Sequence, residues 1–502
     1  MVRDERVRKN SCMSNSRRSR LPGLHFNRCA FGALAALAIL LPQSHGDDLS
    51  GGPAEVTTPA VDLSMEATES QPSPAANAGD ALVTSAELPP SPPDVSADAP
   101  LPADAASATE HVTLLTNPEA VEAVTFDESS GRSPWRFSFY SGVNVRATDN
   151  LFIQSQDQQS DVAFVLGAGL AVARGALAEE VLNGFGTTLP TDDPQPGEEG
   201  SYVFAYYLPR ASLFAEHSSE NSLDHEALAL ARWTGAKLGI SFRARFQTLS
   251  GADVDVGNRA DRSIFNARIR ATYALTGKTT LATEVENVTT EYSGNGFSSS
   301  EWINRSWLNF QLTPKLQLGA GLAVGYLAVE GSADQVFEQA LLRADYRPGE
   351  KLRLSVTGGV EFRQTDGSEE NPTPVFGSEV EYRPRETTSF RLEGRRQTFS
   401  SAGFAGENYH FTSVTASAVQ LLAQRFALGF AGGCQNSNYV STGGGGGTGR
   451  EDNLWFIRPS LGFRFTERAR LELSYQHRTN DSSLEFLSFS ENVASLQIDV
   501  LF

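Results

Sequence analysis

The stretch LNFQLTPKLQLGAGLAVGY, residues 308–326, alternates apolar and polar side chains on both sides of a TPK turn. The same unit returns as ATYALTGKTTLATEV from residue 271, LRADYRPGEKLRLSV from 342, VEYRPRETTSFRLEG from 380 and LGFRFTERARLELSY from 461. Each copy ends a strand in an aromatic residue, turns in a few residues and starts a new alternating run. In WRFSFYSGVNVRAT, Trp135, Phe137, Phe139, Val143 and Val145 share one face, and Arg136, Ser138, Tyr140, Asn144 and Arg146 share the other. Period two over a dozen residues predicts a long strand with one apolar and one polar face. Such runs begin near residues 134, 161, 201, 223, 236, 262, 279, 301, 315, 334, 350, 374, 387, 408, 425, 453, 469 and 489. The expected fold is all-β: a transmembrane antiparallel up-and-down β-barrel of about 18 strands, with 16 as the alternative count.

Connection lengths support that reading. Short turns (TGA, TGK, TPK, RPGE, RPRE, TERA) alternate with longer polar loops such as SGADVDVGNRAD, TDGSEENP and STGGGGGTGRED. Short on one side and long on the other is the pattern of an outer-membrane barrel. Trp233, Tyr273, Phe310, Tyr346, Tyr382 and Phe465 each precede a short turn on the apolar face. They are expected to form a periplasmic aromatic girdle, because aromatic rings suit a membrane–water interface. In NVASLQIDVLF, Ala494, Leu496, Ile498, Val500 and Phe502 share one face. Leu496, Ile498, Val500 and Phe502 resemble the C-terminal signal that outer-membrane barrels present to their assembly machinery.

The chain has 502 residues, 40 % hydrophobic, with a net charge of -19. That charge argues against nucleic acid as a partner. No run of 18 apolar residues occurs, so no helix of the chain is expected to span a membrane. A basic stretch holding Arg17, Arg18, Arg20 and Arg28 precedes the apolar AFGALAALAILL of residues 30–41, and residues 1–46 read as a signal peptide. Residues 47–131 are rich in Pro, Ala, Ser and Thr, carry 16 acidic residues and no Lys or Arg, and read as a disordered acidic linker. The barrel is expected over residues 132–502. Cys434 is the one cysteine beyond the signal, so neither a disulfide nor a metal site is predicted.

The polar face is densely charged. Arg243, Arg245, Arg268, Arg270, Arg305, Arg343, Arg353, Arg363, Arg391 and Arg395, with Glu284, Glu286, Glu379 and Glu381, are the pore-lining candidates. In a barrel of this size such groups are expected to stay hydrated and to set ion selectivity. Arg243, Arg245, Arg268 and Arg270 fall on adjacent strands and are expected to cluster. Catalytic chemistry is not expected: His225, His410 and His477 stand isolated, no phosphate loop or metal spacing occurs, and no cofactor is implied.

The stretch VRATDNLFIQSQDQQSDVAFVLGAGLAVARG, residues 145–175, ENSLDHEALALARW from residue 220 and the repeated Y-x-L-T-x-K hairpins resemble the β-barrel porin 2 family of bacterial outer-membrane proteins. The resemblance covers residues 134–502 and implies a porin. Residues 175–200 depart from it by placing a long connection on the short-turn side. The functional expectation is passive diffusion of small hydrophilic solutes, anionic ones included. The partners expected are outer-membrane lipid and lipopolysaccharide, the barrel-assembly machinery and the solutes, with both termini periplasmic. The alternatives are an export barrel for an anionic polysaccharide and a closed structural or adhesive barrel.

Overall fold

The computed structural model describes residues 135–176, 182, 200–294, 296–365, 368–369, 371–423, 425–442, 447–466 and 468–502. The expected signal peptide (1–46) and acidic linker (47–131) lie outside the described residues, as do most of residues 177–199 and of the glycine run at 443–447. The strands are β1 (Arg136–Thr148), β2 (Asp161–Gly175), β3 (Tyr202–Phe214), β4 (Ser222–Thr234), β5 (Leu238–Asp253), β6 (Asn258–Ala274), β7 (Thr279–Ser293), β8 (Ser299–Thr313), β9 (Leu316–Val329) and β10 (Gln335–Gly349). They continue as β11 (Leu352–Thr365), β12 (Ser368–Glu369), β13 (Thr373–Arg385), β14 (Thr388–Ser400), β15 (Glu407–Leu422), β16 (Phe426–Ser441), β17 (Glu451–Thr466), β18 (Ala469–Ser482) and β19 (Phe489–Leu501).

Apart from β12, each strand pairs antiparallel with the strands before and after it, and β1 also pairs with β19, so the sheet closes. β12 is a two-residue extension on β11, and β11 pairs onward with β13, which leaves an 18-stranded wall. The expected number of strands is the number observed. Closure removes every unpaired edge, as a β-structure in lipid must.

The wall is inverted relative to a soluble protein. Phe137, Leu342 and Leu473 are 61 %, 70 % and 52 % exposed on the outer face, whereas Glu361 and Arg363 are 1 % and 3 % exposed inside. Charged residues are rarely buried, and then in pairs, while apolar ones avoid water. Lipid outside and a polar interior reconcile both. The two-residue turns Pro314–Lys315, Glu350–Lys351 and Glu386–Thr387 lie at one end. Trp233, Tyr273, Phe310, Tyr346, Tyr382 and Phe465 all stand exposed on the outer face at that end. At the seam Val143 lies opposite Ile498 and Val145 opposite Leu496, while Phe139 and Phe502 exchange backbone hydrogen bonds of 3.1 and 2.7 Å. Leu496, Ile498 and Phe502 face outward, and Val500 is half-buried.

The glycines of the quoted hairpin have a packing reason. A Cβ on Gly321 would meet the Trp307 ring at 2.6 Å, and one on Gly325 would meet the Phe337 ring at 2.1 Å. Their absence lets two inward aromatic rings lie flat on β9.

At the long-loop end Asp161 clamps a neighbouring connection. Its carboxylate accepts the amides of Val162 (2.6 Å), Ala215 (3.1 Å), Glu216 (3.1 Å) and His217 (2.8 Å), and the His217 ring Nδ1 lies 2.8 Å away. Burial opposes the charge, but these hydrogen bonds outweigh it and hold the carboxyl down at about 2. A carboxyl with a lowered folded pKa stabilises the clamp above its free value near ~3.9 and loses that contribution as pH falls through the folded value. Amide chemical shifts of Ala215, Glu216 and His217 should therefore titrate together near pH 2, and the transition should vanish in Asp161→Asn. A midpoint near ~4, the free value, would show that the carboxylate does not hold the loop.

Candidate functional site

The sequence places the charged residues on the inner face, and the structure divides them between two unlike halves of the lumen. The half formed by β7–β15 is packed. Ala282, Ile303, Trp307, Ala323, Leu327, Phe337, Leu341 and Val375 make a buried apolar cluster inside the wall. Gln335 on β10 and Asn408 on β15 exchange hydrogen bonds of 3.1 and 2.9 Å, although β11, β13 and β14 separate their strands along the wall. Only contact across the interior explains that pairing. Arg363 stacks on Phe337, with its guanidinium 4.5 Å from the ring centroid, and bonds Gln335 at 2.9 Å and Glu361 at 3.0 Å. Arg343 stacks on Trp307 at 4.7 Å and bonds Asn309 at 2.7 Å.

The expected basic cluster is interlocked with acids. Arg243 lies directly opposite Arg268. On the next strand Glu286 lies opposite Arg268 and Glu284 opposite Arg270, and Arg305 lies opposite Glu284. Arg305 Nη1 bonds Glu284 at 2.7 Å and Glu286 at 2.6 Å, while Arg268 and Arg270 each stand 4.0 Å from Glu284. Arg245 pairs with Glu226 at 3.0 Å. On the far wall Arg391 bridges Glu379 (3.1 Å) and Glu393 (2.5 Å), Glu381 pairs with Arg383, and Arg353 sits opposite Glu381. Arg395 faces the Phe399 and Phe411 rings at 5.9 and 5.4 Å. The expectation that these charges stay hydrated is corrected for Arg268, Arg270, Arg305, Arg343, Arg363, Glu284 and Glu379, all of which are buried. Long arginines reach across strands to the nearest carboxylate, and a like-charged row is tolerable only beside such a partner.

The other half, formed by β1–β6 and β17–β19, retains a cavity of about 240 Å³. Arg146, Arg210, Glu226, Arg458, Arg478 and Asp499 line it. Arg210 pairs with Glu226 at 2.9 Å, Arg470 with Asp499 at 2.9 Å, and Arg478 with Glu491. Side chains fill the lumen on the β7–β15 side, so the open space lies in this half. Tyr202, Phe204, Leu228 and Leu230 form an apolar cluster at the short-turn end, joined by Leu182 from the long β2–β3 connection.

A strap separates the halves at the long-loop end. The β5–β6 connection, residues 254–257, turns inward. Asp253 caps it by accepting the amides of Asp255 (3.0 Å) and Val256 (3.2 Å), and holds Arg262 at 3.0 Å and the Tyr292 hydroxyl at 2.9 Å. Gly257 closes the turn at φ +77, where a Cβ would also strike Leu487 at 2.1 Å. Asp255 then reaches the distant β14–β17 side. It accepts the Ser401 hydroxyl (2.9 Å), the Ala402 amide (2.5 Å), the Tyr439 hydroxyl (2.8 Å) and Arg450 Nη1 (3.4 Å). Arg450 also donates to the carbonyls of Asp255 (2.7 Å) and Val254 (2.9 Å), grips Asp452 at 2.6 Å and lies 4.3 Å from the Tyr439 ring centroid. Its side chain is fully buried. Burial pushes the Asp255 carboxyl above the ordinary carboxylate range, with Arg450 opposing the rise and Asp253 adding to it.

Arg450 and the three histidines gain partners that the sequence did not reveal. His410 Nδ1 lies 3.2 Å from the Thr398 hydroxyl. His225 stacks on Tyr207 on the outer face, with its Nδ1 2.7 Å from the tyrosine hydroxyl. His477 meets Asn492 and Thr479. Counting the register back from the β18–β19 loop would have placed Asn492 opposite His477. The described residues hold no cluster of three or more metal-ligating His, Cys, Asp or Glu side chains.

No protein-family model matches the chain, and no curated protein matches it. Among solved structures, Pseudomonas aeruginosa OpdQ is similar at 12 % identity, covering 73 % of this chain and 98 % of its own, with a TM-score of 0.39. The outer membrane protein opdK from the same organism is similar at 12 % identity, covering 74 % and 100 %, with a TM-score of 0.39. The siderophore receptor PirA, also from Pseudomonas aeruginosa, is similar at 9 % identity, covering 74 % and 81 %, with a TM-score of 0.37.

Proposed function

We propose that the chain is a porin-like channel of the bacterial outer membrane, carrying small hydrophilic solutes, anionic ones among them, by passive diffusion. One observation carries the reading: a charged cavity lies inside a closed wall whose outer face is apolar. Solutes pass along the seam-side half, β1–β6 and β17–β19, beside the strap. The arginines and glutamates of β5–β14 shape the field and brace the opposite half. Trp233, Tyr273, Phe310, Tyr346, Tyr382 and Phe465 serve as the periplasmic girdle, and Leu496, Ile498, Val500 and Phe502 as the signal to the assembly machinery. Residues 1–46 direct export and 47–131 act as an acidic spacer. Membership in the β-barrel porin 2 family and contact with lipopolysaccharide belong to the same proposal.

Single-channel recording under a salt gradient tests it. Steady channels with an anion-favouring reversal potential are expected. Arg210 keeps 28 % of its side chain exposed, against 7 % for Arg268. Arg146→Gln with Arg210→Gln should therefore shift the reversal potential further than Arg243→Gln with Arg268→Gln. The opposite ranking would move the path to the β5–β6 wall. A folded barrel without conductance would favour the closed structural barrel, the reading that the packed half supports.

A further inference from the structure

We propose that the outer face of β18–β19 is a hydrolytic site for acyl esters of membrane lipids, built from Thr479, His477 and Asn492. The inference rests on the membrane placement of the barrel and not on its being a channel.

The register sets the constellation. His477 lies directly opposite Asn492, and Thr479 directly opposite Ser490. All four alternate with inward residues that are buried, namely Gln476, Arg478, Glu491 and Val493. They therefore form a polar square between the apolar Leu473, Tyr475, Ile457 and Trp455 and the outward Asn453 and Asp481 nearer the strand ends. Polar groups on a lipid-facing wall are costly and mark function more often than chance placement does. The square stands just beyond Tyr475 toward the long-loop end, with Trp455 opposite Thr479. Amphipathic rings such as these settle at the headgroup level, where the ester bonds of a lipid lie.

The geometry is that of a nucleophile, a base and an orienting group. His477 Nδ1 is 2.8 Å from Asn492 Oδ1, a carbonyl oxygen that only accepts. The proton is thereby assigned to Nδ1, which leaves Nε2 as the basic nitrogen. Nε2 faces the Thr479 hydroxyl at 3.4 Å. Such a distance is long for a formed hydrogen bond, as unliganded catalytic pairs often are. Asn492 is itself fixed: its Nδ2 donates to Asp149 at 2.6 Å, its amide to Asp149 at 2.7 Å, and its Oδ1 also accepts the Tyr475 hydroxyl at 2.6 Å. The His477 ring packs 4.9 Å from Trp455, which limits its rotation. At rest the Thr479 hydroxyl donates to Ser490 Oγ at 3.4 Å and turns to His477 Nε2 for the attack, while Ser490 keeps its own proton for an oxyanion formed there.

The reaction balances with water as the second reactant. Thr479 Oγ attacks the ester carbonyl carbon and its proton passes to His477 Nε2. The tetrahedral intermediate collapses, the lysolipid alcohol leaves with that proton, and the acyl group stays on Thr479. Water then attacks the acyl carbon, gives its proton to Nε2, and the fatty acid leaves as Thr479 recovers the proton.

The test uses the full chain in mixed micelles of detergent and dioleoylphosphatidylcholine, with fatty-acid release as the readout. The wild type should release fatty acid. Thr479→Val and His477→Gln should lose at least ~100-fold, the scale of a lost nucleophile or general base. Asn492→Leu should lower the rate and change its pH profile, as expected of a positioning residue. His225→Ala removes a second outward histidine and should leave release unchanged. Intact conductance in every variant would separate this site from the channel. No release by a conducting wild-type protein, or release unaltered in Thr479→Val, overturns the proposal.

Discussion

Arg450→Ala should open the mouth of the barrel. The substitution removes the guanidinium that joins Val254, Asp255 and Asp452, and leaves the Asp255 carboxylate buried beside Asp253. Breaking a buried pair from one side costs about 3–5 kcal/mol. That is more than ~100-fold in the equilibrium between docked and released strap. The expected result is a higher single-channel conductance and entry of larger sugars in liposome swelling. Asp255 supplies the matching pH dependence. Its carboxyl is raised in the docked strap, so protonation is easier docked than free. Docking must then tighten as pH falls through the raised value and weaken as pH rises above it. Conductance should decline on acidification in the wild type. Asp255→Asn keeps the acceptor without the charge and should hold the low-pH conductance at all pH. Equal conductance in wild type and Arg450→Ala would remove the strap from the account.

The second large effect belongs to stability. Arg305 Nη1 lies within 3 Å of both Glu284 and Glu286, at 2.7 and 2.6 Å. Arg305→Met removes both short contacts, leaving Arg268 and Arg270 4.0 Å from Glu284 and Asn266 donating to Glu286 at 2.8 Å. The expected loss is about 3–5 kcal/mol, read as a lower urea midpoint with an unchanged slope. The double change Arg305→Met, Glu286→Gln should recover part of it, because it removes one of the two carboxylates while Glu284 stays beside Arg268 and Arg270. Failure of the double variant to recover would assign the loss to packing.

Strand positions and facing were legible because both follow from one local rule. Side chains alternate at period two, and the quoted hairpins carry their own turns. Every wall strand begins within a few residues of its expected start, including β3 and β15, whose patterns are the weakest. The division of the lumen was not legible, because it depends on contacts between residues far apart in the chain. Arg450 sits in a glycine-rich polar stretch that reads as a loop tip, and its partner Asp255 lies in another loop on a different wall. Nothing periodic links them. The basic cluster shows the middle case. Alternation puts Arg243, Arg245, Arg268 and Arg270 inside, but register across three strands is needed to see that Glu284 and Glu286 thread between them.

The seam has a kinetic meaning. Tyr140 bonds Asp499 across it, Ser138 bonds the Phe502 carbonyl at 3.2 Å, and Thr148 bonds Glu491 at 2.9 Å. These partners stand 359, 364 and 343 residues apart in the chain. Loop-closure entropy is met in full before any of these contacts forms, and folding rates fall as such distant pairings dominate. The cavity borders this same seam, so the passage takes its final shape only when the seam closes. A barrel closed that late, with no free edge afterwards, persists by the height of its unfolding barrier as much as by its equilibrium stability.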